Sequence, residues 1–285
     1  MNLYLLQLVN GIGLGMIYFV LAVGLSIIFG LLRFVNFSHG AFFLLGAYGC
    51  YQLVQMGVDF WWTLLLGPLI VGVLAWLIEV FLFRKVYHFP HEIHILITVG
   101  LAMVAQEAVI LYWGPVGANV SPPELLQGVV VWDSFIYPKY RLFVIGAGLA
   151  LALVLGLLLE GTRLGAIVRA GSESTEMISL LGVNIQRVFA AVFALGAATA
   201  ALAGVLAAPI RGVDPFMGVE VLGIAFVAVV VGGMGSFAGA LAGGLLVGIV
   251  QSMMSSIWPP GASLMIYVAM ALVLLLRPNG LLGRA

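Results

Sequence analysis

His88, His91 and His94 cluster around Glu92. A zincin helix carries two histidines at i and i+4 on one face. Here His91 and His94 stand one residue too close, and Pro90 parts His88 from any helix holding the other two. The cluster reads as a partly solvated loop rather than a metal site. Gly233-x-Gly235-x-x-Ala238 matches a dinucleotide fingerprint as a string. That fingerprint needs a preceding strand and an acidic residue about 20 positions later. Apolar runs flank this one, and no acidic residue follows Glu220. The two lysines, Lys85 and Lys139, follow Arg84 and Pro138, so no Gly-Lys-[Ser/Thr] phosphate loop exists. Any ATP that drives this chain binds to another subunit. Cys50 is the only cysteine, which excludes an intrachain disulfide and a cysteine metal set.

Polar groups inside apolar runs are the next candidates, because burying them in lipid is costly. Gln106 and Glu107 fall in one such run, and they read equally as a pathway element or as a structural hydrogen bond. Glu79 lies near Arg84 and Lys85, where pairing or snorkelling accounts for it. Glu220 follows Asp214-Pro215 and reads as interfacial.

The segment 161–187 is longer than the 4–6 residues a typical connection uses. Ser172 is a candidate N-cap, with Glu173 and Glu176 in the first turn, where the helix dipole favours acids. Met177, Ile178, Leu180 and Leu181 follow, and Gly182 can end the helix in left-handed geometry. The result is a short helix with apolar residues on an aqueous face, flanked by Arg163, Arg169 and Arg187. It fits either an amphipathic helix on lipid headgroups or a dock for a soluble partner.

The elements around these residues are membrane spans. Hydrophobic residues make up 64% of the 285 and charged residues 8%, against about 25% charged in soluble domains. A soluble enzyme is excluded, and a net charge of zero without a basic block argues against nucleic acid. Apolar stretches run at 4–31, 36–56, 60–83, 93–113, 140–160, 188–208, 219–232, 236–257 and 262–276. A span needs about 20 residues, so the expected fold is an all-α polytopic bundle of eight or nine segments in one domain, residues 1–285. The pair around 219–257 reads as two full spans or as a broken, re-entrant pair meeting at Gly232-Gly233-Met234-Gly235-Ser236. With the N-terminus outside, Arg33, Arg84, Lys85, Arg163, Arg169, Arg187, Arg277 and Arg284 fall inside, against Lys139, Arg141 and Arg211 outside. The positive-inside rule favours this orientation, with a cytoplasmic C-terminus and loop 114–139 external. Gly196, Ala200, Gly204 and Ala208 form one small-residue face, and Gly235, Gly239 and Gly243 another. Both fit close helix packing, with a moving gate interface as the alternative.

Two stretches carry a resemblance. Gly24-Leu25-Ser26-Ile27-Ile28-Phe29-Gly30 leads into Val35-Asn36-Phe37-Ser38-His39-Gly40 and Gly46-Ala47-Tyr48. Gly165-Ala166-x-x-Arg169-Ala170 leads into Leu180-Leu181-Gly182-Val183-Asn184. With Gly232–Ser236 and Arg277-Pro278-Asn279-Gly280-Leu281, the chain resembles the permease subunits of branched-chain amino-acid ABC importers over nearly its whole length. Ser38 and Ile178 depart mildly from that pattern. The resemblance implies a homologous second permease, two cytoplasmic ATPases holding ATP and Mg²⁺, an external solute-binding protein, and no cofactor on this chain. It implies a bacterial inner-membrane location. It also implies that 161–187 is the coupling segment, with Arg163, Gly165, Arg169, Glu173, Glu176, Met177, Leu181 and Gly182 as coupling residues. Gly232, Gly233, Gly235 and Ser236 are then the expected moving region, and Asn36, His39 and Gly40 a structural motif capping the second span. Related permeases carry urea, short amides or small carboxylates, so cargo stays open. A stand-alone secondary transporter using Glu107 is the alternative of another class.

Overall fold

The computed structural model describes residues 3–132 and 135–283. Its helices are α1 (Leu3–Leu32), α2 (His39–Gln55), α3 (Phe60–Phe81), α4 (His91–Trp113), α5 (Lys139–Gly161), α6 (Arg163–Glu173), α7 (Thr175–Leu180), α8 (Ile185–Arg211), α9 (Met217–Gly232), α10 (Phe237–Ile257) and α11 (Ala262–Leu276). A hairpin of β1 (Val129–Trp132) and β2 (Phe135–Pro138) pairs Val130 with Tyr137 and Val131 with Ile136. Each of the nine apolar stretches forms a helix. Seven helical stretches are long and apolar enough to cross a membrane. α2 and α9 are shorter, at 17 and 16 residues. At 1.5 Å per residue α9 is roughly 24 Å long, less than a hydrocarbon core of about 30 Å. It is sheltered by α1, α2, α10 and α11, the setting in which irregular backbone at its ends is tolerated.

α1 and α8 form the centre. From Met16 to Leu25 every α1 residue is buried, and α8 is buried around Gly196–Ala208. The small-residue faces explain the packing. A side chain on Gly204 would overlap the Phe43 carbonyl of α2. One on Gly243 would overlap the Ala228 carbonyl of α9. Further along α10, Gly244 and Gly248 receive Gly15 of α1. Helix backbones approach closely at each site, as they must where lipid supplies no hydrophobic drive.

The bundle has two dissimilar ends. One gathers Arg33, α6, α7, the α9–α10 turn and the segment after α11. The other gathers the hairpin, the 114–128 loop and the turn after α8. At this loop end, Ala118 and Val213 exchange backbone hydrogen bonds of 2.9 and 2.7 Å, and Trp113 Nε1 donates to Gln52 Oε1 at 2.8 Å.

Candidate functional site

The candidate site is built where helix termini converge. α1 ends at Leu32, and Arg33 follows in left-handed geometry at φ 56°. From there its Nη2 donates to the carbonyls of Ser172 and Glu173, each at 2.9 Å. Those carbonyls close α6, so a guanidinium sits on the negative end of its dipole. At the other end of α6, the Thr162 hydroxyl accepts from Gly165 N at 3.1 Å. A side chain on Gly165 would overlap the Leu159 carbonyl, and Arg169 Nη1 donates to that same carbonyl. Gly165 and Arg169 therefore hold α6 against the end of α5, while Arg163 begins α6 exposed.

α7 begins at Thr175 and is capped by Ser174, whose hydroxyl accepts from Met177 N at 3.2 Å. The cap is thus Ser174, not Ser172. Ser172 Oγ donates to Arg169 O at 2.6 Å inside α6. Glu173 is the last residue of α6 rather than part of a first turn, while Glu176 does sit in the first turn of α7. The reason is long-range: Arg33 captures the carbonyls of 172 and 173 and carries α6 through Glu173. Gly182 ends the segment at φ 83°, as the left-handed stop requires. Ile178 is buried, whereas Met177, Leu180 and Leu181 are 65%, 81% and 79% exposed.

The α9–α10 turn lies beside this segment. Gly233 and Gly235 take φ 109° and 78°, and Ser236 caps α10 by accepting from Gly239 N at 3.0 Å. The chain after α11 returns here: Leu281 N donates to Val231 O at 2.8 Å and Leu282 N to Gly232 O at 2.9 Å. Gly232 and Gly239 press backbone to backbone. A cavity of about 820 Å³ opens between these parts, lined among others by Arg33, Arg169, Glu173, Gly235, Ser236 and Asn279. Of the residues that the sequence suggests separately, Arg169 and Glu173 from the coupling set and Gly235 and Ser236 from the turn thus face one space, whereas Arg163, Gly165, Glu176, Met177, Leu181, Gly182, Gly232 and Gly233 do not line it.

A family description, "Branched-chain amino acid transport system / permease component", matches residues 7–275. The chain belongs to this permease family. It is 33% identical to the high-affinity branched-chain amino acid transport system permease protein LivH of Escherichia coli K12, covering 99% of this chain and 96% of that one. It is 31% identical to BraD of Pseudomonas aeruginosa, a permease of the same description, at the same coverage. PsaBC from Streptococcus pneumoniae, solved with a Fab, shares the fold at TM-score 0.52 and 15% identity, covering 94% of this chain and 89% of that one. The permease is a multi-pass membrane transport subunit.

Other predicted residues of the permease lie elsewhere. Asn36 Oδ1 accepts from Ser38 N at 3.1 Å and from Ser38 Oγ at 2.5 Å, while Ser38 makes no side-chain bond to α2. The motif therefore caps through an Asx turn before the helix. His39 Nε2 donates to Leu21 O at 2.9 Å, and a side chain on Gly40 would overlap the Gly218 carbonyl. Asn36–Gly40 locks α2 to α1 and α9. Glu79 is buried and paired with Arg84 at 3.4 Å, and the Tyr87 hydroxyl donates to it at 3.0 Å. Burial, reinforced by the Glu79 carboxylate, raises the Tyr87 phenol above its usual range, so it stays a donor. His94 Nε2 donates to Val86 O at 2.8 Å. Glu220 pairs with Arg211 at 2.8 Å at the loop end. Glu107 is exposed and Gln106 half-buried on α4, and neither lines the 820 Å³ cavity. Arg284 lies outside the described residues. Sequence reasoning missed Arg33 and Glu160 as cavity groups, since only the position of Arg33, directly after a long apolar run, hinted at a helix-terminal role.

Proposed function

We propose that this chain is the membrane permease of an ATP-driven importer of branched-chain and similar aliphatic amino acids. LivH and BraD are named for that cargo, and it is carried over to this chain here. In this reading a homologous permease completes the pathway and an external binding protein delivers the solute. Two soluble ATPases hold ATP and Mg²⁺, and this chain holds no cofactor. The Arg33 end faces the cytoplasm of a bacterial inner membrane, as its excess of Lys and Arg supports. Glu107 on the outer face of α4 favours a second permease or water over that face, because a carboxylate against lipid is costly.

The observation that carries the reading is α7. A six-residue helix, capped at Ser174 and stopped at Gly182, presents Met177, Leu180 and Leu181 outward while Ile178 anchors it inward. Burying each such side chain in a partner groove contributes about 1.5–3 kcal/mol. The lever behind it is stiff, because Arg33, Gly165 and Arg169 tie α6 to α1 and α5. The test is Met177→Asp with Leu181→Asp, followed by purification of the whole assembly. We expect ATPase co-purification to fall roughly a hundredfold or more. Undiminished assembly and uptake would refute the docking role.

A further inference from the structure

A second cavity, of about 280 Å³, lies at the loop end between α1, α5 and α10. We propose that it binds the zwitterion of one aliphatic α-amino acid, with Arg141 taking the carboxylate. The proposal rests on the transport reading for its cargo class, and on the chemistry of the lining for the site itself.

The cation comes first. Arg141 stands in the first turn of α5, where the helix dipole already presents positive charge, and Lys139 begins the same turn. Among the described residues neither has a carboxylate partner; the ion pairs there are Glu79–Arg84 and Glu220–Arg211. A half-buried guanidinium at the unfavourable end of a helix calls for an anion. Its Nη1 donates to Asn10 Oδ1 at 2.5 Å, and the same oxygen accepts from the Tyr137 hydroxyl at 3.0 Å. Both lone pairs of Asn10 Oδ1 are thereby engaged, and this fixes the guanidinium. A guanidinium carries five N–H donors in a planar fork, so donors remain to meet a carboxylate in bidentate fashion.

The rest of the lining suits the rest of the solute. The single Ser252 hydroxyl proton is shared between Gln7 O at 2.7 Å and Gln7 Oε1 at 2.8 Å, and Ser255 Oγ donates to Ser252 O at 2.7 Å. With their protons so committed, the two hydroxyl oxygens are left as acceptors for an ammonium. Leu14, Ile17, Val144 and Ile210 supply apolar wall. One guanidinium, neutral acceptors and an aliphatic wall match an amino acid better than a phosphate. The volume lies just under the range of about 300–1,000 Å³ that holds drug-sized ligands. Gly13 keeps the space open; a Cβ there would meet Ile145 and the Tyr137 hydroxyl only at 3.7–3.9 Å, so a larger residue can enter.

The test is equilibrium binding of tritiated leucine to the purified full complex without its binding protein, alongside leucine uptake by the same complex in proteoliposomes supplied with that binding protein. Wild type is expected to bind leucine, with leucinamide failing to compete. Arg141→Gln should weaken binding at least about tenfold, the scale of one lost charge-assisted pairing, and Gly13→Leu should weaken it by at least as much by filling the space the side chain of the solute would occupy. Arg211→Gln, removing the same charge at the same end outside the cavity, should leave binding unchanged. Absence of leucine binding by wild type, or equal binding by Arg141→Gln and Gly13→Leu, would overturn the site. So would Arg141-dependent retention of phosphatidylglycerol without leucine binding, which assigns the cavity to a lipid phosphate. Binding without uptake would overturn the transport reading and leave the site standing. Uptake without binding would do the reverse.

Discussion

The two ends of the bundle are held by different chemistry. At the Arg33 end, charged side chains and a returning strand of chain seize backbone carbonyls: Arg33 takes those of Ser172 and Glu173, Arg169 that of Leu159, and the backbone of Leu281 and Leu282 those of Val231 and Gly232. At the loop end carbonyls are taken as well, in the Ala118–Val213 exchange, by Tyr140 on Leu206 and by Ser252 on Gln7, and a set of side-chain pairs is added: Trp113 with Gln52, Tyr137 and Arg141 with Asn10, Tyr18 with Gln251 at 2.5 Å, and Arg211 with Glu220. Carbonyl capture fixes helix termini and so makes levers. Side-chain pairing leaves polar faces that a solute can replace or extend. The difference fits an end that receives force and an end that receives cargo.

Arg33→Ala tests the lever side most severely. It removes two charge-assisted hydrogen bonds, each contributing about 1.5–3 kcal/mol. α6 and α7 should then loosen, and hydrogen exchange of amides 170–182 should accelerate at least tenfold while the spans keep their protection. Uptake should fall with it. Unaltered exchange in α7 would mean that α1 does not brace the segment. A smaller change is expected from Trp113→Phe at the loop end. Losing its hydrogen bond to Gln52 should lower stability in detergent by about 1 kcal/mol, read as a small fall in unfolding temperature. ATPase co-purification should not change. If it did, the two ends would not be separable.

The span pattern was legible because lipid imposes it. Each apolar run became a helix, and the glycine-and-alanine face of α8 could be read as a packing face before its partners, Phe43 and Gly24, were known. Boundaries moved where local signals were overridden. Asn184 caps α8 by accepting from Arg187 N at 3.2 Å, so that helix starts three residues before its apolar run. The division of 163–180 into α6 and α7 was hidden, since it depends on Arg33, some 139 residues away. The hairpin at Val129–Pro138 was also missed in a loop read through its prolines. The Asn10–Arg141 contact spans 131 residues and leaves no trace in spacing. Polar residues near span ends look interfacial one at a time, and only the fold shows which of them share a cavity.

The central claim is that α7 is a seat for a cytoplasmic ATPase. Leu181→Cys gives the most direct test, because the natural Cys50 is fully buried and should not compete for reagent. Labelling with a membrane-impermeant maleimide would be measured in intact cells, in inverted membrane vesicles, and in inverted vesicles stripped of peripheral ATPase. The account predicts no labelling in cells, weak labelling in unstripped inverted vesicles, and strong labelling once the ATPase is removed. Labelling in intact cells, or equal labelling before and after stripping, would contradict it.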